Sequence, residues 1–153
     1  MKYYIDETDR KILCLLLRDA RTPYLKIARE CGISAAAIHQ RVHKLEERGV
    51  IAGSRLLVEP AAIGFGVCAF VNIVVTESGK LGEVIGALEK IPEVVECHFV
   101  TGKYSLLTKL YCRDNNHLME VLVDSIQNIP NIRSTETMLS LKKAFERQVG
   151  IKG

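Results

Sequence analysis

The chain has 153 residues, 48% hydrophobic and 25% charged, with a formal net charge of +3. This composition excludes a disordered chain and fits one medium or two small globular domains. Its five cysteines, Cys14, Cys31, Cys68, Cys97 and Cys112, are odd in number and lack C-x-x-C spacing, which argues against a disulfide scaffold or zinc site and for thiols in a reducing cytoplasm.

Met1-Lys2-Tyr3-Tyr4-Ile5-Asp6-Glu7 is acidic where an export signal needs an apolar stretch. Asp6 is placed to cap a first helix with apolar positions Ile12, Leu13, Leu16, Leu17 and Ala20, which Arg21-Thr22-Pro23 ends. A second helix is predicted over about 24–31, with Ile27, Ala28 and Cys31 on its buried side and Gly32 at its end. Ser34 caps a third helix over about 35–48, stopped by Gly49. Residues 50–58 read as extended, with Gly53 as a turn. Ala28 and Gly32 are four apart, and Ile38 follows six later, which is helix-turn-helix spacing. The small Ala28 permits close helix approach, Gly32 permits the sharp turn, and Ile38 packs the third helix on the first two.

At about 100° per residue, Ile38, Val42 and Leu45 of the third helix share a core-facing stripe. Ala36, Gln40, His43 and Glu47 point nearly opposite, flanked by Ala37, His39 and Lys44. No acid precedes Glu46, so the outward N-terminal half suits the major groove of DNA. Arg41 lies on the shoulder, where a phosphate contact and a helix–helix role are equally open. His39 and His43 have the i, i+4 spacing of zinc helices, yet no third ligand is near, so no metal is expected. Charge supports a DNA role for this segment. Residues 1–59 hold 11 Lys+Arg against 8 Asp+Glu, while residues 60–153 hold 10 against 10.

The remainder contains an internal repeat. Leu88-x-x-Ile91-Pro92-x-Val94 returns 38 residues later as Ile126-x-x-Ile129-Pro130-x-Ile132, with Val84 and Ile85 matching Leu122 and Val123. Each Ile-Pro ends an amphipathic helix, and an apolar strand precedes each helix, at 67–76 and 104–113. Two tandem βαβ units predict a ferredoxin-like βαββαβ sandwich. The fold class is thus α+β. Residues 67–75, the longest apolar run, fall well short of the ~20 residues of a membrane span. They are apolar on nearly every position rather than on alternate ones. Helices cover one sheet face, so the other is expected to be covered by a second copy, giving a homodimer.

Thr101-Gly102-Lys103-Tyr104-Ser105 forms a turn, and Ser134-Thr135-Glu136-Thr137 lies on the last strand. The two are placed either at one end of the sheet or across a subunit contact. Backbone N–H groups and hydroxyls at such a turn suit an α-carboxylate, and Glu136 suits an α-ammonium. Enzyme signatures are lacking: there is no phosphate-binding Gly loop, paired metal ligands or nucleophile elbow, and the adjacent Cys97 and His98 point to opposite faces of a strand.

Across essentially its whole length the chain resembles the Lrp/AsnC (feast/famine) transcription regulators. The similarity is carried by Ile5-Asp6-x-x-Asp9-Arg10-x-Ile12-Leu13, Asp19-x-Arg21, Ala28-x-x-x-Gly32-Ile33-Ser34, Arg41-Val42-x-x-Leu45-Glu46-x-x-Gly49-Val50-Ile51 and Gly53, then Val94-x-Glu96 and Thr101-Gly102-x-Tyr104. The T-G-x-Y-S and S-T-E-T segments are most similar to the asparagine-responsive branch. The resemblance implies a winged helix-turn-helix over 1–51, a linker with a β-strand over 52–64, and a ferredoxin-like ligand-binding and oligomerisation domain over 65–153. It implies double-stranded DNA as a partner, with Ser34, Ala36, Ala37, His39, Gln40, Arg41, His43, Lys44 and Arg48 at the interface. Gln40, His43 and their neighbours are expected to read base edges, and Arg41, Lys44 and Arg48 mainly to contact phosphate. It further implies a cytoplasmic homodimer assembling to an octamer, with no cofactor and no membrane partner. A small amino acid, asparagine first, would bind between dimers at Thr101, Gly102, Lys103, Tyr104, Thr135 and Glu136. Many relatives carry acids at this turn, as G-D-Y-D or G-D-H-D. Here Gly102-Lys103-Tyr104-Ser105 lacks both, and Lys103 favours a ligand carboxylate. An architectural, nucleoid-like DNA binder with little ligand response is the alternative.

Overall fold

The structure is a computed structural model that describes residues 4–151. The stretch read against an export signal therefore lies partly outside the described residues. The chain divides into two compact units: residues up to Leu56 together with Phe145 onward, and Leu57–Ala144.

The first unit holds three helices, α1 (Glu7–Arg18), α2 (Tyr24–Cys31) and α3 (Ala35–Glu47). A reciprocal capping box starts α1. The Asp6 carboxylate accepts the Asp9 N–H at 2.8 Å, and the Asp9 carboxylate accepts the Asp6 N–H at 3.4 Å. Gly32 ends α2 at φ 68°, and the Ile33 N–H then reaches the Ala28 carbonyl at 3.1 Å. A Cβ at Gly32 would meet nothing within 4 Å, so the backbone conformation, not space, selects glycine. Ser34 caps α3 by accepting the Ala37 N–H at 3.1 Å. Ile12, Ile27, Ala28, Ile38 and Val42 form the core between the helices, and Leu45 is fully buried.

One expectation changes here. Residues 52–59 are exposed and hold no strand, because no described segment of the single chain offers them a ladder partner. Leu56 and Leu57 are 75% and 80% exposed. The last sheet strand stops at Ser140, and the segment from Phe145 belongs to the first unit, where the Cys14 thiol donates to the Ile151 carbonyl at 3.8 Å.

The second unit runs β1 (Val67–Val75), α4 (Leu81–Leu88), β2 (Val94–Phe99), β3 (Leu106–Cys112), α5 (Asn115–Glu120) and β4 (Ile132–Ser140). Its sheet has the order β2-β3-β1-β4, every neighbouring pair antiparallel, which is the ferredoxin-like arrangement. Ala69, Val71, Ile73 and Val75 of β1 face the helices and pack with Val84, Leu88, Leu106, Leu110, Leu118, Val121 and Ile126. The strand period of two sends Cys68, Phe70, Asn72 and Val74 to the opposite face. So β1 is apolar on both faces, although the helices of its own chain cover one.

The two repeats are not wound alike. In α4 the buried residues Val84 and Leu88 are four apart, as one α-helical turn requires. After α5 the chain continues as a π-turn, Val121–Ile126, whose buried residues are five apart. The Gln127 N–H reaches the Leu122 carbonyl at 2.8 Å, a five-residue step. One extra residue is absorbed there, so Val121, not Leu122, takes the fully inward place that Val84 holds in the first repeat.

Candidate functional site

Two groups of residues carry function, one in each unit. On α3, burial of Ile38, Val42 and Leu45 fixes which side faces out. Ala36, His39, Gln40, His43, Lys44 and Arg48 are exposed, and Ala37 is half-buried. Ser34 sits at the N-cap with its hydroxyl accepting from Ala37. His43 Nε2 lies 3.2 Å from Glu47 one turn on. The exposed face begins with small residues and the open end of a helix, and passes into amide, imidazole and ammonium groups. This order lets backbone approach a groove first and hydrogen-bonding side chains follow.

Arg41 makes a helix–helix contact, one of its two open roles. Its Nη1 donates to Asp6 Oδ2 at 2.7 Å and to Asp9 Oδ1 at 2.8 Å. The Asp9 side chain is only 3% exposed, against 34% for Arg41. Asp6 and Asp9, which cap α1, thus also anchor α3 through one guanidinium. The Asp9 N–H and then Arg41 hold the Asp6 carboxyl below the usual aspartate range, and the two carboxylates hold Arg41 above its own. Sequence reasoning gave no role to Tyr24, the first residue of α2. Its ring meets the His39 imidazole edge-on, with centroids 4.4 Å apart and planes at 74°. Only its position three and four residues before Ile27 and Ala28, on the same helix face, hinted at this.

In the second unit the topology brings the two hydroxyl-rich segments to one end of the sheet. The Tyr104 hydroxyl donates to Glu136 Oε2 at 2.5 Å. Gly102 takes φ 108°, which only glycine tolerates readily, and turns the chain before β3. The Ser105 hydroxyl accepts the Val75 N–H at 3.1 Å, and the Ser105 N–H donates to the Ile73 carbonyl at 2.8 Å, locking the turn to the end of β1. Lys103 Nζ stands 5.1 Å from the Tyr104 ring centroid. Thr101 is exposed. Thr135 is separated from this pair: it pairs with Ile73 and so shares the helix-side face, and Gln127 Nε2 donates to its hydroxyl at 3.5 Å. Glu136 pairs with Asn72 and lies on the other face.

Among the described residues no group of three or more His, Cys, Asp or Glu is placed to hold a metal ion, and no helix is long and apolar enough to cross a membrane.

A helix-turn-helix unit joined to a ferredoxin-like unit with a polar turn defines a DNA-binding regulator with a ligand-sensing domain. The family models agree: residues 5–46 match the AsnC-type helix-turn-helix domain, and residues 68–149 match the Lrp/AsnC ligand binding domain. The chain is 38% identical over 145 residues to the Regulatory protein AsnC of Haemophilus influenzae, covering 95% of this chain and 97% of the relative. The AsnC structure from E. coli superposes with a TM-score of 0.92 at 37% identity, covering 97% of this chain and all of that one. A feast or famine regulatory protein from M. tuberculosis complexed with L-methionine gives a TM-score of 0.88 at 29% identity, over 97% of this chain and all of that one. The chain belongs to the Lrp/AsnC family of transcription regulators, in its AsnC branch.

Proposed function

We propose that the protein is a sequence-specific, amino-acid-responsive regulator of transcription in the cytoplasm. The observation that carries this reading is the exposed face of α3, held outward by the buried Ile38, Val42 and Leu45. His39, Gln40 and His43 meet base edges in the major groove, while Lys44 and Arg48 contact phosphate. Ser34, Ala36 and Ala37 let the helix N-terminus approach the backbone. Arg41 serves from inside, anchoring α3 through Asp6 and Asp9.

The effector is a small amino acid, with asparagine as the first candidate. Tyr104 and Glu136 supply a hydroxyl and a carboxylate for an α-ammonium. Thr101, Gly102 and Lys103 supply hydroxyl, backbone N–H and positive charge for an α-carboxylate. Thr135 supports this end of the sheet from its other face. The bound L-methionine of the M. tuberculosis relative supports amino acids as the ligand class.

The sheet face bearing Cys68, Phe70 and Val74 packs on a second copy, and dimers assemble further, toward an octamer. On β2 and β3 the charges of that face are paired within the chain, while Glu136 on β4 accepts from the Tyr104 hydroxyl. Lys109 Nζ lies 3.1 Å and His98 Nε2 3.4 Å from the Glu96 carboxylate. Burial opposes ionisation of Glu96 and Lys109, but the pairing outweighs it, holding Glu96 low and Lys109 high. A paired patch costs less to cover than isolated charges. The effector then acts by binding one assembly better than another. Gel shift on the DNA upstream of the protein's own gene, with and without each of the twenty amino acids, tests the reading. A specific, salt-sensitive complex altered by one amino acid is expected. Long periodic footprints without sequence preference would point to the architectural role instead.

A further inference from the structure

We propose that Tyr24 is a positioning residue for base reading, fixing the His39 imidazole so that the Tyr24–His39 pair sets the preference at the base pair His39 meets. The inference rests on α3 being the reading helix. The two rings come from different helices and differ in burial. Tyr24 follows Pro23, whose fixed φ of −60° starts α2, and the ring packs half-buried against the core of Ile12, Ile27, Ala28, Ile38 and Val42. His39 is exposed, one residue past the buried Ile38. The ring packed against the core therefore constrains the exposed one. An exposed histidine samples several rotamers, and ordering it on DNA lowers affinity and blurs discrimination; the edge-on contact at 4.4 Å orders it beforehand.

The same two residues line a concavity of about 400 Å³ together with Gln40, Val42, His43 and Glu46. The polar groups of its lining residues are imidazole nitrogens, the Tyr24 hydroxyl, a carboxamide and one carboxylate. These donate to and accept from base edges, whereas the carboxylate repels phosphate. The concavity is thus suited to a base edge in the major groove rather than to the DNA backbone. Tyr24 contributes shape to it, and its removal takes away the ring that His39 rests against.

The test uses the full chain. Wild-type protein selects its best duplex from a randomised library, and affinities are measured for that duplex and all its single-base variants, for wild type, Tyr24→Phe, Tyr24→Leu, His39→Ala and Tyr24→Leu/His39→Ala. Tyr24→Phe keeps the ring and is expected to keep the profile. Tyr24→Leu is expected to lose about threefold to tenfold discrimination, from the cost of ordering one side chain, at the base pair that His39→Ala affects. The double variant should be no worse than His39→Ala alone. Loss of the ring-current shift on the His39 proton resonances in Tyr24→Leu, with the remaining spectrum intact, reports the lost contact independently of DNA. A Tyr24→Leu variant that weakens every duplex by one factor, or whose effect adds to that of His39→Ala, overturns the inference while leaving DNA reading in place. A library from which wild type selects no sequence overturns the reading role of α3 itself.

Discussion

Replacing Arg41 by alanine removes one guanidinium and two carboxylate contacts, of 2.7 and 2.8 Å. The two contacts differ in worth. Asp6 has 41% of its side chain exposed, so its pair with Arg41 is screened and contributes little. Asp9 is 3% exposed, and taking the cation from a buried carboxylate is the costly part. A fully buried pair broken on one side costs about 3–5 kcal/mol and an exposed one about 0–1. With Arg41 itself one-third exposed, Arg41→Ala is expected to cost about 2–4 kcal/mol, or about 10–20 °C in the melting of the helical unit. The pH dependence has a fixed sign. Asp6 is held below its ordinary value by the Asp9 N–H and then by Arg41, so this stabilisation is complete above the ordinary aspartate pKa of about 3.9 and is lost as pH falls through the lower folded value. The gap between wild type and Arg41→Ala should be flat at neutral pH and shrink below about pH 4. Thermal unfolding followed by circular dichroism from pH 7 to pH 3 measures both. Arg41→Lys retains the charge and should fall between the two. An Arg41→Ala chain of unchanged stability but weakened DNA binding would refute the anchoring role and restore Arg41 to the phosphate contacts.

Tyr104→Phe and Glu136→Gln should each abolish most of the amino-acid-dependent rise in melting temperature while leaving the apo melting temperature within a few degrees; a thermal-shift series against the twenty amino acids checks this. His117→Ala should destabilise the sensor unit by about 1–3 kcal/mol, read by chemical denaturation, because the imidazole accepts the Arg113 N–H at 3.1 Å and contacts Glu93 at 3.1 Å from a nearly buried site. Gly32→Ala should cost about 1–2 kcal/mol from the left-handed φ of 68° alone, with nothing in the surroundings to clash; a loss several times larger would mean the turn is also tightly packed.

The helices of the first unit were legible because each carries its own punctuation: Asp6 and Ser34 as caps, and Gly32 and Gly49 as stops. The repeat around Ile91-Pro92 and Ile129-Pro130 likewise exposed the βαββαβ order. The π-turn at Val121–Ile126 was not legible, since apolar spacing of four and five residues looks alike in a segment with Leu122, Val123 and Val121 all apolar. The partners of Arg41 and Tyr24 were hidden for another reason. Asp6 and Asp9 lie more than thirty residues from Arg41, and periodicity within one helix says nothing about which neighbour receives its shoulder. From sequence, Thr135 and Glu136 group in one site; the register with Ile73 and Asn72 puts them on opposite faces and shows that Glu136 is the one that joins Tyr104.

Titrating the full chain onto its selected operator and onto a scrambled duplex of equal length, with and without L-asparagine, is the decisive measurement. Preference for the operator by at least an order of magnitude is expected, with asparagine or another single amino acid shifting the binding curve. Equal affinity for both duplexes at every amino acid tried would contradict sequence-specific, effector-controlled regulation.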